Sequence, residues 1–189
     1  MKLACAVTLV VLGTPMIVDA ATMRYVDVDR VDGVYIMRSE VWFDASIEQV
    51  YGVLVDWDLS TQYSSVIVES RNLEPAADGR PRYFARNKVC LLFFCIDFVR
   101  SGHLDQQPLE YIHATADPEI SDFHLAKESW LFSEEDGGTA VVYLLELKPK
   151  FWIPPLIGPY IMKRKMRKSG GDAIHRIEAV AKEWHGDAE

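Results

Sequence analysis

From residue 66 to residue 148 the chain repeats one pattern: a run of strand-forming residues, a short break, then another run. The runs cover 66–73, 82–89, 94–104, 110–116, 123–133 and 139–148. Breaks of hairpin length join antiparallel neighbours, because a parallel pair needs a crossover of a dozen or more residues. Asp136-Gly137-Gly138 is itself a hairpin signal, since Asp-Gly and Gly-Gly supply positive φ at little steric cost. An earlier run, 34–43, makes a seventh strand, and residues 21–33 read as a polar lead-in to it.

Helical periodicity occurs in two places. Ser46 and Gln49 have the spacing of a capping box, in which each side chain satisfies the other residue's backbone N–H. Ile47, Val50, Tyr51 and Leu54 then recur at helical spacing, and a second short helix follows over about 58–63. After a proline-rich break at 149–159, Met162, Met166, Ala173, Ile177, Ala181 and Trp184 form one apolar stripe of a long terminal helix. Gly170-Gly171 interrupts it; each glycine costs roughly 1 kcal/mol relative to alanine, so a kink or hinge is expected there. The fold class is therefore α+β, in one domain over 34–185.

The N-terminus reads as a secretory signal over 1–20: Lys2, an apolar run from Leu3 to Leu12, and the small residue Ala20 at the cleavage point. As a retained anchor it would be short of the about 20 apolar residues that span a bilayer. Export predicts a periplasmic or secreted protein and leaves Cys90 and Cys95 in an oxidising compartment. Their spacing closes a disulfide if the chain turns between them; on one straight strand it does not, and they remain buried free cysteines. The formal net charge of −8 argues against a nucleic-acid partner.

The order of elements resembles the START / polyketide cyclase / lipid-transport superfamily and its helix-grip fold. The residues that carry the resemblance are Val41-Trp42-Phe43-Asp44-Ala45-Ser46-Ile47-Glu48-Gln49-Val50 with Asp56-Trp57, then Trp130 with Gly137-Gly138-Thr139, then Phe151-Trp152-Ile153-Pro154-Pro155. The resemblance covers about residues 34–184 and implies a cavity between a curved sheet and the terminal helix. It implies no universal catalytic set.

The last strand is apolar on both faces: Val141, Tyr143, Leu145 and Leu147 on one, Ala140, Val142 and Leu144 on the other. That suits a cavity on one side and cover on the other, although a core packed against the helix also uses such residues. Among polar residues in this setting, Arg100 shares a face with Phe98, Asp97 with His103, Tyr111 with His113, and His124 and Glu128 with Trp130. Arg100 is the candidate head-group contact, with Phe98, Tyr111, Trp130, Tyr143, Met162 and Met166 as candidate apolar walls. Phe151, Trp152 and Ile153 precede a basic run that includes Lys163, Arg164 and Lys165, a combination suited to docking on anionic lipid. No Gly-x-Ser-x-Gly elbow, phosphate loop or His-Glu-x-x-His is present, and no histidine has metal-ligand spacing with cysteine, so neither a cofactor nor a metal is expected. The expected function is binding or transfer of a lipid or isoprenoid-like ligand, with transient membrane contact. A cyclase/aromatase-like enzyme and an envelope-complex interaction module are the alternatives.

Overall fold

Each of the seven runs becomes a strand, and an eighth precedes them. The computed structural model describes residues 21–91, 94–153, 156 and 158–184; the signal segment read at 1–20 lies outside the described residues. The strands are β1 (Thr22–Val31), β2 (Val34–Phe43), β3 (Ile67–Leu73), β4 (Arg82–Leu91), β5 (Phe94–Gln107), β6 (Tyr111–Ala116), β7 (Phe123–Glu135) and β8 (Gly138–Pro149). They form one sheet in the order β1-β2-β8-β7-β6-β5-β4-β3, with every neighbouring pair antiparallel. The helices are α1 (Ile47–Val55), α2 (Ser60–Tyr63) and α3 (Gly158–Glu183), with a 3-10 turn at Trp57–Leu59.

β1 corrects the reading of 21–33 as a lead-in. Asp27, Asp29 and Arg30 make the segment look like loop, but an edge strand needs only one inward row, and charged residues protect its open side. Val28 is that inward anchor, 1% exposed. Asp32 and Gly33 both adopt positive φ, 49° and 82°, as a two-residue hairpin requires, and pair Val31 with Val34. Asp136 and Gly137 do the same between β7 and β8, at 50° and 79°.

The helical segments follow their caps. The Ser46–Gln49 capping box forms in both directions. Asp56 ends α1 and its side chain accepts from the Asp58 N–H, starting the next turn. Trp57, 3% exposed, stacks on Tyr83 with ring centroids 3.9 Å apart, which fixes this crossover against the inner face of β4. The connection thus carries the chain from β2 to the far edge strand β3 across one face of the sheet.

α3 lies on that same face and touches α1, α2, β1 and β2. Its C-terminal half is fixed firmly. The buried Glu178 carboxylate accepts from the Asp44 N–H at 3.0 Å and pairs with Lys182 at 3.0 Å, while Lys182 also meets Asp44 at 2.8 Å. The Trp184 ring covers Gly52, where a Cβ would sit 2.5 Å from the indole.

Two expectations change. α3 runs unbroken through Gly170 and Gly171, because its packed face offsets their propensity cost. Gly170 lies over Met37, and its absent Cβ would approach Met37 Cε to 3.2 Å; a Cβ on Gly171 would meet nothing within 4 Å beyond the helix's own backbone and its chain neighbours. Gly171→Ala is accordingly expected to raise stability by about 0.5–1 kcal/mol in urea unfolding. A loss of stability would show that this turn is not helical in solution. The other change concerns the second face of β8. No helix covers it among the described residues: Val142 and its cross-strand partner Leu131 are each about half exposed. Of the apolar residues on the outer face of β8 only Val142 is exposed, Ala140 being buried and Leu144 half-buried, so the cover there is partial.

Candidate functional site

The inner face of the sheet, α1, α2 and α3 from Met162 to Ile177 line a pocket of about 220 Å³. Val41, Phe43, Val141, Leu145, Leu147 and Trp130 line its sheet side, and Met162, Met166, Ala173, Ile174 and Ile177 its α3 side. With Ser169 and Gly170 these α3 residues recur every three or four positions, so the stripe seen in the sequence forms the pocket wall from Met162 to Ile177.

Arg100 and Glu128 interrupt this apolar surface. Arg100 comes from β5 and Glu128 from β7, with β6 between them. The side chains meet because β6 presents only Ala114 and Ala116 to that face near them, both buried and small. Arg100 Nη1 contacts Glu128 Oε1, and each residue is only 7% exposed. An unpaired charge would not be kept at such burial, so each makes the other tolerable. The pair leaves one group over: the buried Arg100 Nε–H has no partner among the described residues.

Other polar groups share the pocket. Ser60 and Tyr63 of α2 join their hydroxyls at 3.1 Å, and burial pushes the Tyr63 phenol up to about 12. Burial likewise raises the Tyr143 pKa, against a smaller opposing effect of the Arg100 charge. Both phenols are therefore neutral near pH 7 and can donate or accept. Asn87 and Ser39, also buried, lie on the wall.

Six of the seven ligand-binding candidates line this pocket: Arg100, Phe98, Trp130, Tyr143, Met162 and Met166. Tyr111 does not. It alternates with the buried Ile112 and Ala114, so it points to the other face of β6 and stacks on His113 at 4.5 Å. His113 is held there by Ser129 at 2.9 Å. His124 is exposed, because the register shifts between Phe123 and Leu125 and breaks its alternation with Glu128. Of the two acids buried among the described residues, Glu128 is among the polar residues that the sequence places in this apolar setting, sharing a face with Trp130, whereas Glu178 is not singled out there. A glutamate between Ala126 and Trp130 on an inward row was the available signal for the first.

Cys90 and Cys95 form a disulfide. They are direct cross-strand partners in the β4–β5 hairpin, so the chain does turn between them, and both are exposed. The bridge closes the ribbon whose Val89 and Phe98 line the pocket.

The segment proposed for membrane docking divides. Phe151 stacks on Phe98 at 5.5 Å, and with Ile153 it packs against a cluster that includes Met162 and Met166. Lys163 pairs with Asp29 at 3.4 Å and Arg167 with Asp27 at 3.1 Å, both partners lying on β1. Lys165 lines the pocket. Trp152 and Arg164 remain outward. No helix among the described residues is long and apolar enough to cross a membrane.

No protein-family profile matches the chain, and no curated protein matches its sequence. Solved structures do match its fold. A STAR-related lipid transfer protein from Xanthomonas axonopodis superposes with a TM-score of 0.64 at 18% identity, over 87% of this chain and 99% of that one. Human STARD10 gives 0.61 at 11% identity, over 87% of this chain and 74% of that one. The di-domain ARO/CYC StfQ from the steffimycin biosynthetic pathway gives 0.60 at 12% identity, over 80% of this chain and 52% of that one. The chain has the helix-grip fold of the START and cyclase structures.

Proposed function

We propose that this protein binds a hydrophobic ligand with a neutral polar end, of lipid or isoprenoid type, and carries it after export to the periplasm. The observation that carries the reading is the buried Arg100–Glu128 pair set in an otherwise apolar pocket beneath α3. Apolar walls supply affinity, at roughly 0.8 kcal/mol per buried methylene. The pair supplies orientation. Its charges cancel, so a carboxylate or phosphate would meet Glu128 as well as Arg100. A hydroxyl can donate to the Glu128 carboxylate and accept from the free Arg100 Nε–H, leaving no group unsatisfied. The pocket volume is about 220 Å³, below the about 300–1,000 Å³ that encloses a drug-sized ligand, so a long chain would project from the mouth or shift α3.

Native mass spectrometry and lipid extraction of protein purified from its own periplasm test this directly. A co-purifying long-chain alcohol or similar neutral lipid is expected, on a chain whose N-terminus begins at about Ala21. A clean protein that also fails to take up long-chain alcohols in vitro would overturn the carrier reading, and an uncleaved N-terminus the export reading.

One observation favours a second reading, a cyclase/aromatase-like enzyme. Arg100 and two neutral tyrosines converge on the pocket as hydrogen-bond donors that could polarise a bound carbonyl, beside the Glu128 carboxylate as acceptor. Release of a chemically altered ligand would support it. An open pocket counts against a pure interaction module.

A further inference from the structure

We propose that the Cys90–Cys95 bridge is a thiol–disulfide exchange site, reduced by the dithiol of an oxidoreductase, and that its redox state sets how tightly the β4–β5 ribbon holds the pocket ligand. The coupling to ligand rests on the carrier reading; the exchange step does not.

The bridge sits on a ribbon that outruns the sheet. β3 accompanies β4 only as far as Asn87, with one further hydrogen bond from the Lys88 N–H to the Val66 carbonyl at 2.8 Å. β6 accompanies β5 only from Gly102 onward, and the chain before β7 reaches back to Val99, whose carbonyl accepts from the Asp122 N–H at 3.0 Å. β4 and β5 continue to pair with each other through Lys88–Asp97, Val89–Ile96, Cys90–Cys95 and Leu91–Phe94. Among the described residues no third strand flanks that end. A two-stranded ribbon without further support is at best marginally stable in water, so this end depends on its own cross-link.

The ribbon has a pocket face and a solvent face. Val89 and Phe98 line the pocket, and the Phe98 ring meets Phe123 and Phe151 at 5.3 and 5.5 Å. Cys90 alternates with Val89, so the bridge lies on the opposite face, and both cysteines are exposed. The pocket wall and the bond that staples it therefore stand back to back. A reagent that never enters the pocket can reach the bond.

Exposure selects the chemistry. Exchange needs only that a thiolate reach one sulfur, and exposed bridges are the labile ones. A thiolate of the dithiol attacks Sγ of one cysteine, forming a mixed disulfide and releasing the other cysteine as a thiolate, which takes up a proton. The second thiol of the reductant then attacks its own partner sulfur and releases the remaining cysteine in the same way. The bridge gains two electrons and two protons, and the dithiol becomes a disulfide. The ribbon loses its cross-link but keeps its register, so the loosening is local and is undone by reoxidation.

The test is backbone hydrogen exchange, read by mass spectrometry, together with calorimetric binding of dodecan-1-ol, on the oxidised and the reduced protein. Dithiothreitol at about 1 mM is expected to reduce the bridge within minutes without denaturant. Amide exchange over residues 88–90 and 95–98 should then rise by about tenfold or more, and that of β2 and β8 by less than about twofold. Dodecan-1-ol should bind the reduced form about fivefold or more weakly, and reoxidation should restore both readings. Cys90→Ser with Cys95→Ser should behave as the reduced form with or without dithiothreitol. A bridge that stays closed under these conditions overturns the exchange site. Unchanged exchange in the reduced ribbon, equal gains in β2 and β8, or equal affinity for dodecan-1-ol in both forms overturns its control of the pocket. If neither form takes up dodecan-1-ol, the carrier reading fails instead, and the exchange rates alone decide the redox step.

Discussion

Replacing Glu128 alone with leucine is expected to destabilise the protein by about 3–5 kcal/mol, the usual cost of stranding one member of a buried ion pair. The Arg100 guanidinium would be left unmatched while 7% exposed, and no second carboxylate among the described residues pairs with it. Replacing both residues, Arg100→Met with Glu128→Leu, is expected to recover most of that loss or to exceed wild-type stability, since apolar substitutes need no desolvation. The comparison separates stability from function. If the pair serves to orient ligand, the double variant is the one that folds well yet no longer prefers a long-chain alcohol over the corresponding alkane. Urea unfolding of wild type and the two variants, and competition binding on the double variant, give the answer. A single Glu128→Leu variant as stable as wild type would mean that the pair is not formed in solution.

Gly102→Ala is expected to be the most damaging substitution of a single hydrogen by methyl. Gly102 pairs with Ala116 across β5 and β6, and a Cβ there would lie 1.9 Å from the Thr115 carbonyl oxygen and 2.7 Å from Ala116 Cα. Both obstacles are backbone, so no rotamer change relieves them; the two strands must separate. A loss of about 3 kcal/mol or more follows, at or beyond the upper end of ordinary overpacking. The damage should reach the pocket, because Gly102 stands two residues from Arg100 on the same face, and opening β5 from β6 draws Arg100 away from Glu128 on β7. The urea midpoint should fall with little change in slope. A loss below about 1 kcal/mol would show that the strands do not approach as described.

Much of this architecture was legible because it depends on local signals. Ser46 and Gln49 cap α1 through atoms three residues apart. Asp136-Gly137 turns the chain through its own φ angles. The stripe from Met162 to Ala181 has the helix period built into it, so both its helicity and its inward face could be read. β1 was missed because an edge strand has half of its pairing and only one buried row; its charges resemble loop until Asp32-Gly33 is recognised as a hairpin turn. Gly170-Gly171 misled in the opposite sense, since propensity is local and the packing that overrides it is not.

The order of elements from β2 onward, the caps and turns, the inward row of each main strand and the presence of Arg100 among apolar neighbours can all be read from local pattern. Period and backbone chemistry are properties of short segments, and they survive without knowledge of the partner. Only the tertiary structure decided what Arg100 faces. Its partner Glu128 stands 28 positions away on a strand that is not even adjacent, and they meet because Ala114 and Ala116 leave room above β6. The same holds for the basic run: its cations are contiguous in the chain, but the helix distributes them among β1, the pocket and solvent. Which charge is matched, buried or free is decided by what stands opposite it in space.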